Sequence, residues 1–263
     1  FSHTADNANW DGALGNPTEA LEFLGAQFGV FGPLLFGILI WATVRAVREG
    51  WGDPYRLLLC FAVPIILLIT VQAFLSRAHA NWAAVAYVSA SVLVAALMIE
   101  RSARNWYAAS FLIHLVVLAI ISFGTVFAGQ FALPGGKDPF ARVLGWQAIA
   151  QATQARVKEG AFAVVMTDRR SYAAELIYYL RDTDITIVSW RDEGPPSDHF
   201  EMTRPITADT PEPILLVTRR ARIGGIGAHF ERVTKLGQES FAAGPTKSRT
   251  LHFYRLEGFR PRN

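Results

Sequence analysis

Four apolar runs crowd into residues 20–131 of a 263-residue chain, and nothing comparable follows them. This pattern restricts the fold more than any motif does. In hydrocarbon every backbone N–H and C=O must be satisfied within the protein, so an isolated apolar run of this kind crosses as a helix. A crossing takes about 20 mainly apolar residues, because the hydrocarbon core is about 30 Å thick and each residue rises about 1.5 Å. The runs are Leu24 to Val44, Tyr55 to Leu75, Trp82 to Ile99 and Trp106 to Ala128. Pro33 and Pro64 fall inside the first two, where each is expected to kink a helix that neighbouring helices keep satisfied. Composition alone hides this division: 51% hydrophobic and 18% charged residues average an apolar first half with a charged second half.

The short connections predict direction. Arg45, Arg48 and Arg56 lie between the first two runs, and Arg101 and Arg104 between the last two, whereas the middle connection holds only Arg77. The positive-inside bias makes the first and third connections cytoplasmic and turns the middle one, with both termini, outward. Trp51, Trp82 and Trp106 stand at run ends, as interfacial aromatic anchors do. The start at Phe1 is polar and has no signal-peptide pattern, so the chain reads as a fragment or a processed product. Cys60, the one cysteine, excludes an intrachain disulfide and a Cys-based metal cluster, and is expected as a small buried residue. A net charge of +3 from scattered basic residues argues against nucleic acid as a partner.

Residues 137–263 read as a soluble α/β domain. "AFAVVMTD", "ITIVSW" and "PILLVT" are buried strands separated by helical segments, among them "SYAAELIYYLRD" with Ser171 as its expected N-cap. "RTLHFYRLE" alternates like an edge or antiparallel strand. The alternation predicts a mainly parallel sheet with helices on both faces. Gly224, Gly225 and Gly227 in "RIGGIGAHF" lack nucleotide-binding spacing and are read as turn formers. Tyr172, Glu175 and Tyr179 share one helix face, read as solvated, and His199, Glu201 and Arg204 fall in a Pro-bounded loop.

"LEFLGAQFGVFGPLLF", "SRAHANWAAVAYV", "AELIYYLRD" and "DHFEMTRP", in this order, resemble the C-terminal half of bacterial family-39 glycosyltransferases. These are relatives of protein O-mannosyltransferases and of lipid A aminoarabinose transferases. The resemblance implies a GT-C enzyme of the bacterial inner membrane, with residues 1–19 in a periplasmic loop, 20–131 in the membrane and 137–263 in the periplasm. It further implies transfer of a sugar from a polyprenyl-phosphate donor to a lipid, glycan or protein acceptor. The helix-dominated membrane part has no loop polar enough to bind an ion, so no metal or other cofactor is expected. The family's catalytic carboxylate belongs to its first periplasmic loop, upstream of anything matched here.

Within that resemblance the outward connection "SRAHANW" is the first substrate-binding candidate. Breaking a glycosyl-phosphate bond leaves phosphate charge, which a permanently charged, planar guanidinium stabilises. Arg77 is expected on the lipid phosphate or the pyranose ring, His79 as a second donor, Asn81 on a sugar hydroxyl and Trp82 beside them; the alternative is that Arg77 snorkels to lipid headgroups and Trp82 anchors the helix. "FSHTADNANWDG" is the second: His3, Asp6, Asn7 and Asn9, with Trp10, supply amides, a carboxylate and a ring for sugar hydroxyls and C–H faces. Inside the apolar part, His114 is expected to bond another helix. A membrane-anchored sensor or assembly subunit would concentrate its polar groups in the soluble domain, and a transporter would pair ionisable residues at mid-membrane. The boundary cluster favours the transferase over both.

Overall fold

The computed structural model describes residues 15–50 and 52–261, which divide into two compact units at Ser122/Phe123. The helical unit comprises α1 (Pro17–Val30), α2 (Pro33–Glu49), α3 (Asp53–Leu75), a 3-10 turn (Ala80–Ala83), α4 (Ala86–Glu100) and α5 (Arg104–Val126), whose last residues pass into the second unit. The candidate segment with His3, Asp6, Asn7 and Asn9, and Trp51, lie outside the described residues.

The first apolar run is not one helix. Asn16 caps α1 by accepting hydrogen bonds from the amides of Thr18 (3.1 Å) and Glu19 (3.4 Å), and Pro17 supplies a preset φ. The chain then breaks at Gly32-Pro33, and α2 leaves at 118° to α1. Gly32 has φ 94°, a conformation that side-chain-bearing residues avoid, and Pro33 has no N–H with which to continue the ladder. The expectation of four crossings is corrected accordingly. Among the described residues, two helices are long and apolar enough, Pro54–Leu75 and Arg104–Val126, with a third if the bent pair counts as one span. Residues 82–99 divide into the 3-10 turn and α4, whose 15 residues reach about 22 Å, short of the hydrocarbon thickness.

Small residues set the helix crossings. Ala62 and Ala73 on α3, and Ala86 and Ala90 on α4, are fully buried, which lets the two backbones approach closely. Phe23, Phe36, Leu39 and Leu93 fill the space between. Large apolar side chains such as Phe61, Leu68 and Phe111 point outward, as they do where lipid is the solvent. Cys60 is on this outer side of α3 rather than buried.

The second unit holds α6 (Trp146–Gly160), β1 (Val164–Thr167), α7 (Arg170–Tyr179), β2 (Thr186–Ser189), α8 (His199–Thr203), β3 (Ile214–Thr218), α9 (Gly224–Gly227), β4 (Phe230–Ala242) and β5 (Ser248–Phe259). Its five-stranded sheet runs in the order β2-β1-β3-β5-β4. The first three strands are parallel, but β5 is antiparallel to both β3 and β4, so the sheet is mixed rather than mainly parallel. The reason is connection length: five residues separate β4 from β5, enough for a hairpin and too few for a crossover.

Strand alternation sorts two cores. Val165, Leu215, Val217, Leu251 and Phe253 face Trp146 and Ile149 of α6 and Tyr172 and Leu176 of α7. Val164, Met166, Ile214, Leu216 and Leu256 face Trp190, Ile226 and Phe230. Both long helices thus cover one face, and the other is closed by α9 and its neighbours, not by the long helices expected there. Helix α7 starts from Arg169, not from a Ser171 cap, and Tyr172 is buried rather than solvated. The segment around His199 is a short helix: Asp198 accepts from the amides of Phe200 (2.8 Å) and Glu201 (3.0 Å), while Glu201 accepts from Ser197 N (2.6 Å). Asp198 is thus the N-cap of this helix, and these hydrogen bonds give the polar residues a local structural use.

Candidate functional site

The connection between α3 and α4 is built from the backbone outward. Helix α3 ends at Leu75, and the amide of Trp82 closes the 3-10 turn onto the carbonyl of His79 (2.9 Å). The imidazole of His79 meets the Trp82 indole edge-on, with ring centroids 5.4 Å apart. Arg77, His79 and Asn81 are exposed and Trp82 is half-buried. Four side chains expected to contact substrate therefore share one six-residue turn and present a cation, an imidazole, an amide and an indole.

A buried polar link fixes this turn. Gln27 of α1 is fully buried, and its amide donates to Phe23 O (2.8 Å) and to Ala80 O (3.3 Å) in the connection. Its carbonyl accepts from the Tyr87 hydroxyl (2.5 Å), and Tyr87 stacks on Phe31 with centroids 4.3 Å apart. Asn16 N donates to Phe74 O (2.6 Å), so the start of α1 is held to the end of α3. Gln27 thus bonds beyond its own helix. His114 differs: its Nδ1 lies 2.7 Å from Ser110 O on the same helix, and its ring covers Gly32, where a Cβ would sit 2.5 Å from Cε1 and Nε2.

Apolar clefts flank the helices. One of 430 Å³ is lined by Leu24 and Phe28 of α1, Phe36 and Ile40 of α2, and Val63 and Leu67 of α3. Another of 530 Å³ lies between α2 and α4, with Arg101 at its wall, where the guanidinium stacks 4.6 Å from the Trp41 ring centroid.

The second unit carries a polar cluster at the C-terminal ends of β1 and β3 that the sequence did not announce. Asp168, with 1% of its side chain exposed, pairs with Arg220 (2.7 Å), which also reaches Asp192 (2.9 Å). Asp192 in turn accepts from the Trp190 indole N–H (2.9 Å). The hydrogen bond to Asp192, reinforced by Asp168, raises the Arg220 pKa against the opposing effect of burial. On the other face, burial raises the Tyr172 pKa, opposed by the positive charges of Arg219, Arg249 and Arg169. Arg249 donates to Leu144 O and Ala141 O and stacks on Trp146, 4.4 Å from its centroid.

No protein-family model and no solved structure matches the chain. The chain is 30% identical over 254 residues, 97% of its length, to a protein of Rhizobium johnstonii named lipid A galacturonosyltransferase RgtD. It spans 53% of that relative's length.

Proposed function

We propose that this chain forms the C-terminal part of a membrane glycosyltransferase of the GT-C, family-39 type. The observation that carries the reading is the 30% identity with the lipid A galacturonosyltransferase over nearly the whole chain. The helical unit adds to it, since its long apolar helices suit a membrane enzyme whose substrates are lipids. The donor is a polyprenyl-phosphate sugar, and the acceptor is a glycolipid of the lipid A class at the periplasmic face of the inner membrane. The second unit then lies in the periplasm.

In this reading Arg77 stabilises the phosphate that departs as the glycosidic bond breaks. His79 donates to the same group, Asn81 orients a sugar hydroxyl, and the Trp82 indole offers an apolar wall to the sugar's C–H face. The link from Gln27 to Ala80 holds this turn in register, so the guanidinium is placed before the donor arrives. The apolar cleft along α1, α2 and α3 suits the isoprenoid tail. The carboxylate that activates the acceptor belongs to the first periplasmic loop, and the polar segment with His3, Asp6, Asn7 and Asn9 contributes further sugar contacts.

Membranes from cells expressing the gene that encodes this chain provide the test, with labelled polyprenyl-phosphate sugar as donor. Arg77→Ala is expected to lower transfer by about a hundredfold while insertion is unchanged, the scale set by loss of one charge-stabilising donor. Undiminished transfer by the variant removes Arg77 from the site, and absence of donor consumption by the unmodified protein overturns the glycosyltransferase reading.

A further inference from the structure

Buried polar atoms that find no partner collect at one end of the sheet in the second unit. Among the described residues, the unpartnered buried hydroxyls of Thr167 and Tyr172 share the face that carries α7, whereas His252 Nδ1 lies at the same end on the opposite face and Asp138 Oδ2 lies elsewhere. Thr167 ends β1, Tyr172 is the third residue of α7, which begins at Arg170, and His252 pairs with Thr218, the last residue of β3. Native proteins satisfy the great majority of buried polar groups, so such a concentration marks a place built for something else.

The topology identifies that place. Strand β1 lies between β2 and β3, so the chain leaves β1 toward one side and returns on the other. The ends of β1 and β3 form the switch point where open parallel sheets leave a crevice for ligands. Helix α7, ten residues long, begins there, and its N-cap, Arg169, places no side-chain oxygen over the first turn. The first-turn N–H groups and the helix dipole therefore favour an anion. Arg169 precedes this turn and Arg219 follows β3, and both are exposed. The Tyr172 hydroxyl lies within the fields of Arg169, Arg219 and Arg249. It belongs to a residue 3% exposed, and Thr167, 0% exposed, shares its face of the sheet.

We propose that this end of the sheet binds a phosphate-class oxyanion, held by Arg219, the first turn of α7 and the Tyr172 hydroxyl. A tetrahedral dianion offers several oxygens, enough to engage a planar guanidinium, backbone amides and a hydroxyl together. The carboxylates nearby do not cancel this charge. Asp168 is engaged by Arg220, and Glu175 faces the charge of Arg249, which opposes the rise that burial gives its pKa. Arg249 is committed to the carbonyls of Leu144 and Ala141 and contributes field rather than a contact. The site stands whether or not the chain transfers a sugar, because none of its residues is assigned to that reaction.

The test uses the full chain in nanodiscs, with inorganic phosphate titrated at constant ionic strength against chloride. Phosphate is expected to bind saturably and to raise the unfolding temperature. Arg219→Gln, a change at an exposed position, is expected to weaken binding by about tenfold, as loss of a charge-assisted contact does. Tyr172→Phe separates a ligand contact from a merely structural hydroxyl. Without phosphate it is expected to be as stable as the unmodified chain or more so, since an unpartnered buried group is removed, yet to bind phosphate more weakly. A phosphate response no larger than that of chloride, or equal binding by both variants and the unmodified chain, overturns the proposal. Nanodiscs carrying phosphatidic acid instead of phosphatidylcholine assign the source. Competition with inorganic phosphate upholds the site as one for a lipid phosphate, and its absence upholds it as one for a soluble phosphate.

Discussion

Leu68 and Leu216 are the same side chain in opposite circumstances: 67% exposed on α3, 0% exposed on β3. In the second unit water decides, and strand alternation drives each leucine to one face of the sheet or the other. In the helical unit the surroundings are as apolar as leucine itself, so hydrophobicity does not choose which side turns inward. The choice falls to small residues such as Ala62, Ala73, Ala86 and Ala90, where helices meet most closely. The two units also treat buried polar groups differently. Gln27 and Tyr87 satisfy each other within the helical unit, whereas Thr167 and Tyr172 at the sheet's end have no partner.

The sharpest way to break this comparison is to truncate both leucines. Leu216→Ala is expected to destabilise the second unit by about 2–5 kcal/mol, the range for emptied core positions. Leu68→Ala is expected to cost less than about 0.5 kcal/mol, as outward substitutions do. Thermal unfolding in nanodiscs measures both, and comparable losses show that the outer side of α3 packs against protein rather than lipid. A smaller effect probes the polar pair. Tyr87→Phe leaves the Gln27 carbonyl buried without its donor, at a cost of about 1–3 kcal/mol, read as faster proteolysis of the 76–85 connection. Unchanged proteolysis dissociates that connection from the pair.

The smallest expected effect concerns pH. Burial, and then the charge of Lys235, lower the His252 pKa below its ordinary 6.5. The unfolded chain takes up this proton first as pH falls, so the contribution is whole above 6.5 and is lost below it. A pH series of unfolding temperatures is expected to show this loss in the second unit, reduced in His252→Gln. An identical profile in the variant places the acid sensitivity on other groups.

Much of the second unit was legible because its continuous apolar runs coincide with strands buried on both faces: Val164 to Thr167, Thr186 to Ser189 and Ile214 to Thr218. Strand β4 was not. "FERVTKLGQESFA" is polar on both faces, exposed through most of its length and shifted in register between Lys235 and Gly237, so no period-2 signal survives. Missing β4 is what made the sheet look mainly parallel. In the helical unit Pro33 was visible, but a proline alone specifies a kink. The 118° break also needs Gly32 at positive φ, with the His114 ring occupying the space of its absent side chain. Arg77, His79, Asn81 and Trp82 were legible as a cluster because they are contiguous. Arg220 and Asp168, 52 positions apart by their numbers, become neighbours only through the strand order.

The Gln27 amide holds the connection between α3 and α4 through the carbonyl of Ala80, a group that every amino acid carries. Variation at positions 77, 79 and 81 therefore leaves that anchor intact. The geometry of the turn and its chemistry are thus separable: side chains at these positions can change without rebuilding the scaffold that presents them.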